Sequence, residues 1–186
     1  MKLLRLMTIS TFILLIAVTG VAKTKAEKQT EARKKADETL QRLYKAQPSA
    51  RAAIKAAAGY AVFNNKGAKI LVGGTGSGSG IAVQNKSKQV TYMKMREIQA
   101  GLGFGVKKFS VIFVFENHKV LDDFVNGGWD AGGQTTAAAK SSDGGGSLQG
   151  AVAGGPGVWV YQMTDKGLAL ELTVKGTKYS KDDDLN

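Results

Sequence analysis

From residue 27 the apolar positions recur at helical spacing. In EKQTEARKKADETLQRLYKAQ (residues 27–47), Ala32, Ala36, Leu40, Leu43 and Tyr44 fall on one face, and Lys, Arg and Glu fill the other. This pattern predicts an amphipathic helix. Its apolar face is narrow and rich in alanine, which suits docking on a domain better than lying in a membrane surface. Pro48 interrupts the pattern, and Ser49 is placed to cap a second, alanine-rich helix ending at Gly59.

From Tyr60 onward short apolar runs alternate with turn signals, which predicts strands. Tyr60–Phe63 and Lys69–Gly73 flank NNKG, read as a hairpin turn at Asn64–Gly67, and Ile81–Gln84 and Gln89–Met95 flank NKSK. Glu97–Lys107 reads as a glycine-studded strand, and Ser110–Glu116 (SVIFVFE) as a strand buried on both faces. Val120, Leu121, Phe124 and Val125 have helical spacing within His118–Val125, with Gly127 and Gly128 as a stop. Trp129–Lys140 and Ser147–Ala153 flank SSDGGG, and a closing hairpin pairs Val158–Met163 with Leu168–Val174 across Thr164–Gly167. The fold class that follows is α+β: a curved or barrel-like antiparallel β-sheet of about eight short strands, with N-terminal helices and one inserted helix. Most of these strands have too few residues for an outer-membrane barrel, whose strands need about 9–11.

The opening residues add a location. Lys2 and Arg5 precede an uncharged apolar run, Leu6–Val18, and small residues follow at cleavage-compatible spacing. These are the three parts of a secretory signal. The run is shorter than the about 20 residues a retained membrane anchor needs. The expected organisation is a signal peptide over 1–26, cut after Ala22 or Ala26, then a single domain over 27–186 in the periplasm or outside the cell. The sequence has no cysteine, which excludes a lipidated leader, disulfides and thiolate metal sites.

The formal charge is +11, and removal of Lys2, Arg5, Lys23 and Lys25 leaves +7. A basic balance favours anionic partners. Beyond the leader the only arginines are Arg33, Arg42, Arg51 and Arg96. Base reading leans on arginine forks, so with export no nucleic-acid partner is expected. GGTGSGSG (Gly73–Gly80) lacks the Gly-Lys-Ser/Thr of a phosphate loop, and a strand, not a helix, follows it. Its glycines are read as permitting sharp bends and close backbone approach. His118 is the sole histidine, and Asp182–Asn186 lacks the glycine and glutamate of a calcium loop, so it is read as a solvated acidic tail. No enzyme, cofactor or metal site is expected.

Several ordered blocks carry a family resemblance: AAAGYAVF (Ala56–Phe63), KILVGGTGSGSGIAV (Lys69–Val83), IQAGLGFGVKKFSVIFVFEN (Ile98–Asn117), VLDDFVNGGWDAGGQTTAAA (Val120–Ala139) and Gly157–Asn186. Over roughly residues 45–186 the chain resembles the SYLF lipid-binding domain family. The resemblance implies a non-enzymatic module that binds acidic lipids. Relatives that bind actin in endocytosis carry no such leader, so no actin partner is expected. The candidate headgroup-binding residues are lysines beside glycine-rich turns: Lys66, Lys69, Lys86, Lys88, Lys107 and Lys108. The expected partner is an anionic phospholipid or membrane surface. The alternative is a structural or interaction module of the cell envelope with a protein partner.

Overall fold

A computed structural model describes residues 22–70, 73–100, 105–130, 148–169 and 176–186. The proposed leader run lies outside the described residues. So do the later part of the strand expected over Trp129–Lys140, SSDGGG and the end of the closing hairpin.

The first helix, α1, spans Lys25–Ala46. Thr24 starts it: its hydroxyl accepts from the Glu27 backbone N–H, and the Glu27 carboxylate accepts from the Thr24 N–H. This reciprocal cap satisfies two orphan donors of the first turn. A second helix, α2, runs Ser49–Ala56; Pro48, not Ser49, occupies its cap position and makes no side-chain cap bond. The third, α3, covers His118–Gly127, capped by Asn117 and ended by Gly128 at φ 73°.

The strands are β1 (Gly59–Ile70), β2 (Gly73–Gln84), β3 (Val90–Ala100), β4 (Gly105–Phe115), β5 (Trp129–Asp130), β6 (Val152–Gly155), β7 (Val158–Thr164), β8 (Gly167–Ala169) and β9 (Thr177–Lys181). They form one antiparallel, half-barrel sheet ordered β5-β9-β3-β2-β1-β4-β7-β6, with β8 on β7. The fold is therefore α+β, as the sequence pattern indicates.

The pleat divides the core in two. On one face Phe63, Met93, Met95, Phe113 and Phe115 pack with α3, Trp129 and Tyr179. Phe113 lies edge-on to Phe63, Trp129 and Tyr179, with ring centroids 4.9–5.9 Å away. On the other face Val62, Ile81, Tyr92, Ile112 and Val114 pack under α1 and α2. α1 crosses the strands, with Arg33 donating to the Tyr92 hydroxyl (2.6 Å), Thr39 to Asn64 (2.9 Å) and Arg42 to the Thr164 carbonyl (2.9 Å).

Three expectations are corrected. NNKG is not a turn, because β1 runs straight through it. The Asn64 amide oxygen accepts from Thr39 and Ser110, and Asn65 donates to Glu97, so tertiary partners replace the local turn bonds. Gly73–Gly80 is not a bend but the first two thirds of β2. Its even-numbered glycines face the aromatic core, where a Cβ on Gly80 would overlap the Phe63 ring and one on Gly78 would meet the Met95 sulfur at 2.9 Å. The acidic tail is folded back: Leu185 is buried, and the Asn186 side chain bonds both the N–H and the C=O of Tyr92. The four central strands are also longer, at 11–12 residues, than the short strands expected. Among the described residues Ile98 is the sole exposed large hydrophobic. No described helix is long and apolar enough to cross a membrane.

Candidate functional site

Strand parity puts every second residue on the α1 side of the sheet. Past the edge of α1, pairing aligns Lys108 (β4) with Lys66 (β1), Lys66 with Ser77 (β2), Ser77 with Arg96 (β3) and Arg96 with Lys178 (β9). One cross-strand row therefore carries four cations over five strands, a length of about 19 Å at about 4.8 Å per strand. Lys66, Arg96, Lys108 and Lys178 are all exposed. Only Lys178 is ion-paired, to Asp130 at 3.6 Å; Lys66, Arg96 and Lys108 have no carboxylate within ion-pair distance among the described residues.

β2 lies low in the middle of this row. Between Gly74 and Gly80 it presents only Thr75, Ser77 and Ser79 on the α1 side, while longer lysines and arginines flank it. Two open clefts meet there, with Lys66 and Ser77 lining both. The smaller, about 470 Å³, lies between α1 and the sheet and adds Lys35, Arg42 and Lys108 above the Asn64 and Ser110 side chains. Lys35 is shared with Glu31 at 2.6 Å. The larger, about 1200 Å³, adds Lys94, Arg96, Ile98 and Lys178. Ile98 is 73% exposed, two residues along the strand from Arg96 and on the same face.

The larger cleft also reaches the opposite face, where Gly76, Glu97, Trp129 and Tyr179 line it. Glu97 is buried, and its carboxylate accepts from the Asn65 amide at 2.5 Å. Burial and then the Glu97 charge push the Tyr179 hydroxyl above its ordinary titration range. The α1 side instead offers hydroxyls and fixed cations, chemistry suited to holding phosphate and polyol groups.

The structure treats the six sequence candidates differently. Lys66 and Lys108 are paired neighbours at the β4 end of the row. Lys107 is the adjoining position on β4, in register with Gly67, and Lys69 lies farther along β1, opposite Gly74 and Gly105. Lys86 and Lys88 are exposed in the β2–β3 turn at the far end of the strands. The seven-residue path from Ser77 to Gln84 separates them from the row by about 23 Å. Sequence reasoning missed Arg96 and Lys178. The alternation Met93-Lys94-Met95-Arg96 signals their side of β3, but the pairing of β9 beside it carries no local signal.

The architecture is α+β: one long-stranded sheet, clasped by helices, with an exposed basic row beside α1. Residues 96–186 match the Ysc84 family, described as Las17-binding protein actin regulator. The chain is also 34% identical over 163 residues to Beta cell expansion factor A of Aeromonas veronii, a match covering 88% of this chain. The chain spans 60% of the length of that relative. The match to the Ysc84 family model bears out the SYLF resemblance over residues 96–186.

Proposed function

We propose that this protein binds anionic phospholipid headgroups at a membrane surface of the cell envelope and catalyses no reaction. The cross-strand row carries the reading, because Lys66, Arg96 and Lys108 stand together without carboxylate partners among the described residues. Each such charge near an anionic surface contributes about 1 kcal/mol, so a row of four gives useful affinity. Exposed Ile98 beside Arg96 adds an apolar contact on the same side. The test is vesicle flotation. Recovery with phosphatidylglycerol or cardiolipin vesicles is expected to exceed recovery with neutral vesicles and to fall as salt screens the row. Equal recovery from both would support the envelope interaction module instead.

The N-terminal run acts in this reading as an export leader cut after Ala22. A cut after Ala26 would delete the Thr24 cap, worth about 1 kcal/mol, and set a new positive amino group at the helix start. It would also remove the bonds from Lys23 to Glu31 (2.6 Å) and from Lys25 to the Asn186 carbonyl (2.7 Å). Hydrogen bonds from Lys23 and then Lys35 hold the Glu31 carboxyl at about 2. Intact-mass measurement of the exported product is expected to find Lys23 as its first residue; a product starting at Glu27 contradicts the assignment.

A further inference from the structure

We infer that the row is built for one ligand molecule carrying two phosphate groups on a hydroxylated spacer, as in a bisphosphorylated disaccharide glycolipid. The inference rests on the headgroup reading above and specifies its ligand. The row's cations are not evenly spread. They form two pairs on adjacent strands, Lys66 with Lys108 and Arg96 with Lys178, and β2 separates the pairs. Three strand spacings lie between the centres of the pairs, a distance of about 14 Å. Each pair opens onto its own cleft, and the two clefts join over Lys66 and Ser77.

What lies between the pairs selects the spacer. β2 contributes Thr75, Ser77 and Ser79, three short hydroxyl side chains, to the surface between the long cations. Thr75 and Ser77 are exposed, so their hydroxyls face solvent. An apolar spacer would leave these hydroxyls without partners, whereas a sugar or polyol exchanges hydrogen bonds with them. The alternate β2 positions are glycines packed against the core, so the strand cannot rotate bulk into the trough. A single phosphate group engages one pair only. Two phosphates on one spacer engage both, and the second contact becomes intramolecular, which multiplies affinity without new protein contacts.

The experiment uses the full chain purified as the cell processes it. Flotation compares vesicles doped with a bisphosphorylated glucosamine-disaccharide lipid against its monophosphorylated form, at equal phosphate density. Affinity for the bisphosphorylated lipid is expected to be about tenfold or more the higher, an effect of linkage alone. Lys66→Gln with Lys108→Gln, or Arg96→Gln with Lys178→Gln, should each bring that affinity down to the monophosphorylated level. All four side chains are exposed, and unchanged thermal unfolding confirms that the variants fold. Equal affinity for the two lipids overturns the inference, as does a preference that survives both paired substitutions. Failure of the unsubstituted protein to float with phosphatidylglycerol vesicles overturns the underlying headgroup reading instead, and that measurement is independent of the ratio between the two glycolipids.

Discussion

Replacing Gly80 by alanine is expected to destabilise the domain by about 3 kcal/mol, and by more for valine, as overpacking against an unyielding neighbour does. A Cβ at this position would overlap the Phe63 ring and, behind it, the Val62 backbone oxygen. A ring can swing aside, but a strand carbonyl in the middle of the sheet cannot. Phe63 is also wedged against Phe113 and Tyr179, with centroids 5.9 and 4.6 Å away, so its own escape would disturb the aromatic cluster. At about 2–4 °C per kcal/mol for a domain of this size, the melting temperature should fall by about 6–12 °C. Gly127→Ala supplies the contrast. Its Cβ meets nothing within 4 Å, and its place at the end of α3 favours alanine. Urea unfolding of the two variants reads the difference, and similar midpoints would show that β2's glycines have no packing role.

That glycine row explains where the sequence could be read and where it could not. Helical spacing located α1 and α3 because each buries a stripe of its own side chains: Ala32, Ala36, Leu40 and Leu43 in one, Leu121 and Phe124 in the other. Val111–Phe115 was legible because it is apolar at every position and covered on both faces. β2 has little side chain of its own. It is a strand because Phe63, Asn65, Met95 and Glu97 lean over it from β1 and β3, and glycine leaves them room. Local propensity reads such a segment as a bend, since the side chains that demand glycine lie elsewhere in the chain. The same holds for Asn64–Asn65, whose turn chemistry is spent on Thr39, Ser110 and Glu97.

The candidate site was half legible for a related reason. Lys66 and Lys108 were singled out for lying near glycines, and the β1–β4 register makes them neighbours. Lys86 and Lys88 looked equivalent by that criterion, yet a β2–β3 turn carries them to the other end of the sheet. Arg96 and Lys178 joined the row through pairings of high sequence separation, above all β3 with β9. Face parity is readable within a strand; which residues share a row depends on register, and register is set by the whole sheet.

Position in that row, not net charge, should therefore govern membrane binding. Lys66→Glu with Arg96→Glu turns two positive charges into two negative ones beside Ser77. At about 1 kcal/mol per charge near an anionic surface, the change of four units costs about 4 kcal/mol, or about a thousandfold in affinity for phosphatidylglycerol vesicles. Lys86→Glu with Lys88→Glu alters the net charge by the same amount, but in the distant turn. The separation of about 23 Å exceeds the screening length of about 10 Å at 0.1 M salt, so this variant should retain most of the binding. Raising the salt should shrink the gap between the two variants, because it weakens the only binding that the row substitutions remove. Equal losses in both variants would assign the attraction to overall charge. Full binding by the Lys66–Arg96 variant would place the headgroup site elsewhere on the molecule.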